Sequence, residues 1–274
     1  MNTEFTPAHH PPTTLPLHGA LAHAGAASVQ QLEQRGFNAW PAPRSAVMDD
    51  WLLRSAGGYT KRANSANALQ PGAALTPQLL EQIEAHYARQ QLPCIFRLSP
   101  LADAGVDALL QARGYRAVEP SLLMQRATQA EDRRWQPAAQ VQLQSQPTLL
   151  PAWLDGYCAA SDHPPQQQPA HRAVLESIGM RCAYLTLAQH GAVRAWGLAV
   201  FERDAVGLYE VLVHPAHRGQ GLGRQMVLAL LQWAAQQGAT HTDLQVGGGN
   251  LRAQQLYTGL GFAPVYGYHY RVQA

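Results

Sequence analysis

The sequence predicts an α/β protein built in two parts, and three observations carry that reading. Short strand-like runs alternate with helical segments along most of the chain. A polar stretch without period, ATQAEDRRWQPAAQ at 127–140, separates two such successions. The successions echo each other. Leu109-Leu110-x3-Gly114-Tyr115-x-x-Val118 and Leu256-Tyr257-x3-Gly261-Phe262-x-x-Val265 each end a helix at glycine and start a strand with an aromatic.

The elements follow in order. Residues 1–27 are rich in Pro, Ala and His without period, and read as a mobile tail. Ser28-x-x-Gln31 is a capping-box pattern for a helix that stops at Gly36. Runs at 47–55 and 59–65 flank Gly57-Gly58 and read as a hairpin. Thr76-Pro77 caps a helix carrying Leu79, Leu80, Ile83 and Tyr87 on one face. A strand at 92–98, a helix at 103–113 closed by Gly114, and a strand at 115–126 complete this part. Pro120 inside the last strand implies an edge or a bulge. The second part reads as strand 141–144, helix 149–160, a Pro/Gln-rich stretch at 161–169 and helix 172–178. Strands 183–188, 193–201 and 206–213 follow, the first pair turned by His190-Gly191. Helix 221–237 has Leu222, Met226, Leu230 and Trp233 on one face. Strand 242–246, helix 250–258 and strand 262–272 end the chain.

Composition narrows the function classes. The 274 residues suit one large or two small domains. Apolar residues make up 46 % and charged residues 14 %, which supports a sizeable core and excludes wholesale disorder. No apolar run approaches 18 residues, so no membrane partner is expected. Twenty basic residues face 18 acidic ones, and all the basic ones but Lys61 are Arg. They form no basic run, which argues against a nucleic-acid partner. Cys94, Cys158 and Cys182 are isolated and read as small buried hydrophobes, neither a disulfide framework nor a zinc site. His9, His10, His18 and His23 match no ligand spacing, and no metal is expected. The start lacks a secretory leader, so a cytoplasmic protein is expected.

The chemistry sits in Leu208-Tyr-Glu-Val-Leu-Val213-His-Pro-Ala-His-Arg218-Gly-Gln-Gly221-Leu-Gly223-Arg224. A strand runs through a glycine-rich turn straight into an amphipathic helix. The glycines admit a ligand close to the backbone. The free N–H groups of the first helical turn, with the helix dipole, favour an anion such as a pyrophosphate. Arg218 and Arg224 add full charge. The spacing departs from the G-x-G-x-x-G of dinucleotide folds, and the turn follows hairpin-linked strands, not a first βαβ strand.

This segment resembles the acyl-CoA-binding motif R/Q-x-x-G-x-G/A of the GNAT superfamily of N-acetyltransferases. A second stretch, Val246-x3-Asn250-x2-Ala253-x2-Leu256-Tyr257-x3-Gly261-Phe262, stands at the spacing shown by that family. The match is sharp over about 206–262 and extends by element order over 141–274. The resemblance implies the GNAT fold, a central mixed β-sheet flanked by helices, with acetyl-CoA as co-substrate and no metal. It implies a catalytic domain at 141–274, a linker at 128–140 and a degenerate GNAT-like half at 28–127. That half lacks R-x-x-G-x-G and has Leu110 in place of the tyrosine. Its run from Gly57 to Asn67 resembles a segment upstream of the core in some two-part relatives. From it, Arg62, Asn64 and Ser65 are candidates for reaching the acceptor cleft.

The resemblance also assigns residues. Leu212 and Val213 would bond the pantetheine arm where the family's fourth and fifth strands splay apart. Arg218, Gly219, Gln220, Gly221, Leu222, Gly223 and Arg224 would cradle the pyrophosphate. Asn250 would bond the pantetheine while capping its helix. Tyr257 would give a proton to the leaving sulfur. Glu210, sharing a strand face with Leu212, is the candidate base. A base is needed because an amine of pKa near 10.4 costs about 4–5 kcal/mol to neutralise at pH 7. An N–H in the same gap would stabilise the oxyanion, an effect of about 3–4 kcal/mol. The resemblance also places Asp162 and His163 in a loop expected to shape the acceptor pocket. The expected activity is acetyl transfer from acetyl-CoA to a primary amine of a small molecule or protein. The alternative is a non-catalytic acyl-CoA sensor. The acceptor, the acyl chain and the oligomeric state, a homodimer included, stay open.

Overall fold

A computed structural model describes residues 26–273. The expected tail therefore lies outside the described residues up to position 25, with His9, His10, His18 and His23. Among the described residues all strands form one eleven-stranded mixed sheet. Helix α1 (Ala26–Ala39) leads into β1 (Arg44–Met48), β2 (Trp51–Ser55), β3 (Ala66–Ala68), α2 (Pro77–Ala88), β4 (Ile95–Leu98), α3 (Ala104–Ala112) and β5 (Arg116–Ala127). Then come β6 (Val141–Gln146), α4 (Pro151–Ala160), α5 (Gln168–Glu176), β7 (Arg181–Gln189), β8 (Ala192–Glu202) and β9 (Ala205–Val213). The chain ends with α6 (Leu222–Gln236), β10 (His241–Gly247), α7 (Leu251–Thr258) and β11 (Ala263–Val272).

The strand order is β1-β2-β3-β4-β11-β5-β10-β9-β8-β7-β6. Chain order is broken at the centre, where each half lends its last strand to the other. β5 pairs antiparallel with β10, and β11 pairs antiparallel with β4. β5 and β11 meet antiparallel between them. The α3–Gly114–β5 and α7–Gly261–β11 units thus occupy matching places, and they are the two segments that echo in sequence.

Three apolar clusters hold the molecule together. One lies in the N-terminal half and includes Tyr266, Tyr268 and Tyr270 from β11. A second lies beneath α6 and α7. The third joins the halves: Trp40, Ala56, Tyr59 and Ala63 pack with Trp153, Tyr157, Trp196 and Tyr209. Large aromatics bury about 150–250 Å² each, so this seam is a substantial part of the core.

Several expectations need correction. α1 neither opens at Ser28 nor stops at Gly36. The glycine is where the helix crosses β10, and a Cβ there would stand 3.4 Å from Gln245 Nε2. The run at 47–55 is two strands, because Asp49 adopts φ 48° and turns the chain. Aspartate tolerates that left-handed conformation. β2 still pairs with a following strand, but that strand is β3, beyond a 3-10 turn at Lys61–Ala63. Pro120 meets one of its two expected alternatives, a bulge, here in an interior strand: the β11 register shifts opposite it and Glu119 has φ 50°. Its carbonyl accepts from Gly248 N at 2.6 Å. α5 begins at Gln168, four residues before the expected start. Thr76 caps α2 as expected, its hydroxyl accepting from Leu79 N at 3.1 Å.

Candidate active site

The strand that carries the motif parts from its neighbour. β9 and β10 run parallel and pair from Ala205/His241 to Leu208/Leu244, where the ladder ends. From Tyr209 to Val213 the β10-facing backbone of β9 has no strand partner. The bend comes from a bulge: the β8 register shifts between Leu198/Tyr209 and Trp196/Leu212, and Glu210 takes φ 52°. Bulges add an unpaired residue and bend the strand.

On one side of this gap lies a cleft of about 520 Å³. Its floor is the end of β9, with Val211, Leu212 and Val213. Its head is the start of α6, with Arg218, Gly219, Gly221, Leu222, Gly223 and Arg224, and its far wall is α7, with Asn250 and Tyr257. Gln220 is exposed and does not line it. Gly219 and Gly221 have φ 83° and 79°, conformations that cost other residues roughly 1–2 kcal/mol. Gly221 is the N-cap and no side chain caps α6, so the first-turn N–H groups stay open to an anion. Arg218 Nε donates to Val213 O at 3.3 Å, tying the turn back to the strand. Asn250 caps α7, its Oδ1 accepting from Ala253 N at 3.1 Å.

Sequence reasoning did not single out Arg252 or Leu256, which also line the cleft, as does His217. Arg252 had a legible signal. A cation in the first turn of a helix opposes the dipole, and an anionic ligand between α6 and α7 offsets that cost. No carboxylate lines this cleft.

Tyr257 reaches the cleft from α7 and is 8 % exposed. Burial alone pushes its phenol up to about 12, so it holds its proton at neutral pH. Its ring packs edge-on to Phe262 at 6.0 Å.

Glu210 lies on the other face of the sheet. Its strand alternation holds from the bulge onward: Leu212 packs into the seam between the halves, while Val211 and Val213 pack under α6. Glu210 Oε2 stands 3.2 Å from Nε2 of His171, a residue 1 % exposed. Tyr59 and Tyr157 border the same carboxylate. Both phenols are raised, by burial first and by Glu210 second.

The other acceptor-side candidates divide. His163 is exposed and its ring meets Tyr59 at 5.5 Å; Asp162 is exposed beside it. Asn64 and Ser65 are buried. Asn64 instead stitches the 56–60 turn, accepting from Ala56 N and Gly58 N and donating to the carbonyls of Tyr59 and Thr60. Arg62 lies beside the stacked Trp40 and Tyr209 rings, 5.5 and 5.7 Å from their centroids. The three cysteines are free, Cys94 buried and the others half-buried. Among the described residues no group of His, Cys, Asp and Glu has metal-binding geometry, and no helix is long and apolar enough to cross a membrane.

Comparison with known proteins is consistent with this geometry. Residues 26–271 match the family described as "Probable histone acetyltransferase Rv0428c C-terminal". An uncharacterised N-acetyltransferase, YobR of Bacillus subtilis, is 27 % identical over 247 residues, covering 89 % of this chain and 98 % of its own. A GCN5-related N-acetyltransferase from Kribbella flavida superposes with a TM-score of 0.68 at 19 % identity, over 92 % of this chain and 96 % of that one. A tandem GNAT protein from the clavulanic acid biosynthesis pathway gives 0.61 at 16 % identity, over 88 % and 86 %.

Proposed function

The chain belongs to the Rv0428c C-terminal family of GNAT-type acetyltransferases, and from that premise we propose that it moves an acetyl group from acetyl-CoA to a primary amine. The observation that carries the proposal is the end of the β9–β10 ladder at Leu208/Leu244, with Tyr257 reached from one face of the gap and Glu210 from the other. In this reading the N–H groups of 219–224, with Arg218, Arg224 and Arg252, hold the pyrophosphate. The unpaired backbone of Leu212 and Val213 holds the pantetheine arm, with Asn250 across from it. The thioester then lies in the gap. Glu210 takes a proton from the acceptor ammonium, directly or through a water. The freed amine attacks the thioester carbonyl, the C–N bond forms, the nitrogen gives up its extra proton to water and the C–S bond breaks. Tyr257 meets the departing thiolate with its hydroxyl.

We also read 28–127 and 141–274 as two related halves joined by 128–140. The exchange of β5 and β11 across the sheet centre supports that division. Only the second half has the glycine cradle, so a single cofactor site is expected.

Replacing Arg218 by Ala is expected to raise the acetyl-CoA Kd roughly ten- to a hundredfold, since a charge-assisted contact contributes about 1.5–3 kcal/mol. Calorimetry checks this, and an unchanged Kd removes Arg218 from the site. The activity itself is tested by thiol release from acetyl-CoA over a panel of amines. Amine-dependent release identifies a transferase. Tight binding with no release for any amine identifies the sensor.

A further inference from the structure

We infer that His171 is a positioning residue for Glu210, and that the N-terminal half acts on the chemistry by clamping His171 through Tyr59. The inference rests on the reading of Glu210 as the base.

The geometry is specific. His171 Nε2 and Glu210 Oε2 are 3.2 Å apart, yet the pair lacks the alignment of a hydrogen bond. Both atoms are therefore buried and unpartnered, and the Tyr59 hydroxyl is a third such atom in the same cluster. Orphaned polar atoms cost free energy, about 1–3 kcal/mol each, so several together mark a place where something other than stability is served. Glu210 itself sits at a positive φ, a conformation of about 1–3 kcal/mol strain that clusters at functional sites.

His171 is held on every side. The Tyr59 ring stacks on it at 4.5 Å and 24°. Tyr157 meets it edge-on at 5.3 Å, and Trp40 lies 6.1 Å away. Its Nδ1 is 3.9 Å from Cys158 Sγ. Nδ1 and Sγ stand within reach of a sulfur hydrogen bond. With Nδ1 turned to Sγ, Nε2 is the ring nitrogen that can present an N–H to Glu210. A small alignment shift on binding makes this N–H a donor to Oε2 and turns Oε1 toward the acceptor. The clamp on the N-terminal side is itself fixed: Asn64 donates to the Tyr59 carbonyl at 2.7 Å, and Trp40 Nε1 donates to Thr60 Oγ1 at 3.0 Å. The remaining charged group near the Tyr59 ring is Arg62.

Two variants separate the polar role from packing. His171→Phe keeps a ring in the aromatic sandwich and removes the N–H. His171→Gln loses the ring and keeps an N–H at nearly the same reach. A positioning role predicts that His171→Phe lowers kcat at least tenfold with the KM for acetyl-CoA unchanged. His171→Gln then retains kcat within about threefold while melting at a lower temperature. Tyr59→Leu, which keeps bulk but loses the stack, should lower kcat in the same direction. If His171→Phe turns over like the parent, or if His171→Gln is as slow as His171→Phe, the positioning role is wrong. Should His171→Phe fail to fold, the kcat of His171→Gln and Tyr59→Leu decides alone: a slow His171→Gln, or a Tyr59→Leu with parental kcat, overturns the inference. Glu210→Gln runs beside them. If Glu210→Gln keeps parental kcat, the base reading itself has failed. If it is slow and His171→Phe is not, only the present inference falls.

Discussion

Glu210→Gln is expected to lower kcat by about 10²–10⁴-fold and to leave the acetyl-CoA Kd unchanged, the range typical of a lost general base. The size follows from the acceptor. An amine of pKa near 10.4 is almost wholly protonated at pH 7, and the neutral fraction grows about tenfold per pH unit below that value. Glutamine keeps the shape, the bulge and the contact with His171 but takes up no proton. The variant should therefore depend on the free amine already in solution, and its rate should climb with pH up to about 10 more steeply than that of the parent. Binding is spared because Glu210 and the glycine cradle lie on opposite faces of the sheet. A variant with parental kcat at pH 7 would leave Glu210 as a residue that only attracts the amine.

Tyr257→Phe is expected to slow turnover by about 10²-fold, the lower end of the same range. The acidity explains the modest size. Burial holds the phenol up at about 12, whereas an ordinary thiol titrates near 8.5. Full proton transfer to the thiolate is uphill, so the hydroxyl acts chiefly as a hydrogen-bond donor to the leaving sulfur, and solvent in the open cleft delivers the proton. Phenylalanine preserves the edge contact with Phe262, so the melting temperature and the acetyl-CoA Kd should hardly move. Lower stability with intact kcat would make Tyr257 a packing residue.

The C-terminal half was legible because its signals are local. The glycines of the cradle, the apolar face of α6 and the Asn250 cap each declare themselves within a few residues. The exchange of β5 and β11 was not legible, because period-2 patterning says which face of a strand is buried and nothing about which strand lies beside it. The echo at Gly114 and Gly261 was the only hint of it. Asp49 was read through as strand because apolar runs flank the Asp49-Asp50 pair, and Gly36 as a stop because a close helix crossing uses the same residue as a C-cap. The acceptor side was hidden for the first of these reasons. Tyr59 and His171 come from opposite halves, and only the fold stacks them beside Glu210. Arg62, Asn64 and Ser65 were singled out as one polar run, yet Asn64 serves the turn that carries Tyr59, the Ser65 carbonyl accepts from Arg54 N and Asn67 Nδ2, and Arg62 lies over aromatics.

The most direct test of the proposed transfer site is a crystal structure of the protein with CoA. The expected result has pyrophosphate oxygens on the N–H groups of 219–224 and the pantetheine running along Leu212 and Val213. The sulfur should then lie within about 3.5 Å of the Tyr257 hydroxyl, a hydrogen-bonding distance for sulfur set slightly beyond that of oxygen, with Glu210 facing it through the gap beyond Leu208. A CoA bound away from α6, or a sulfur remote from both Tyr257 and that gap, would contradict it.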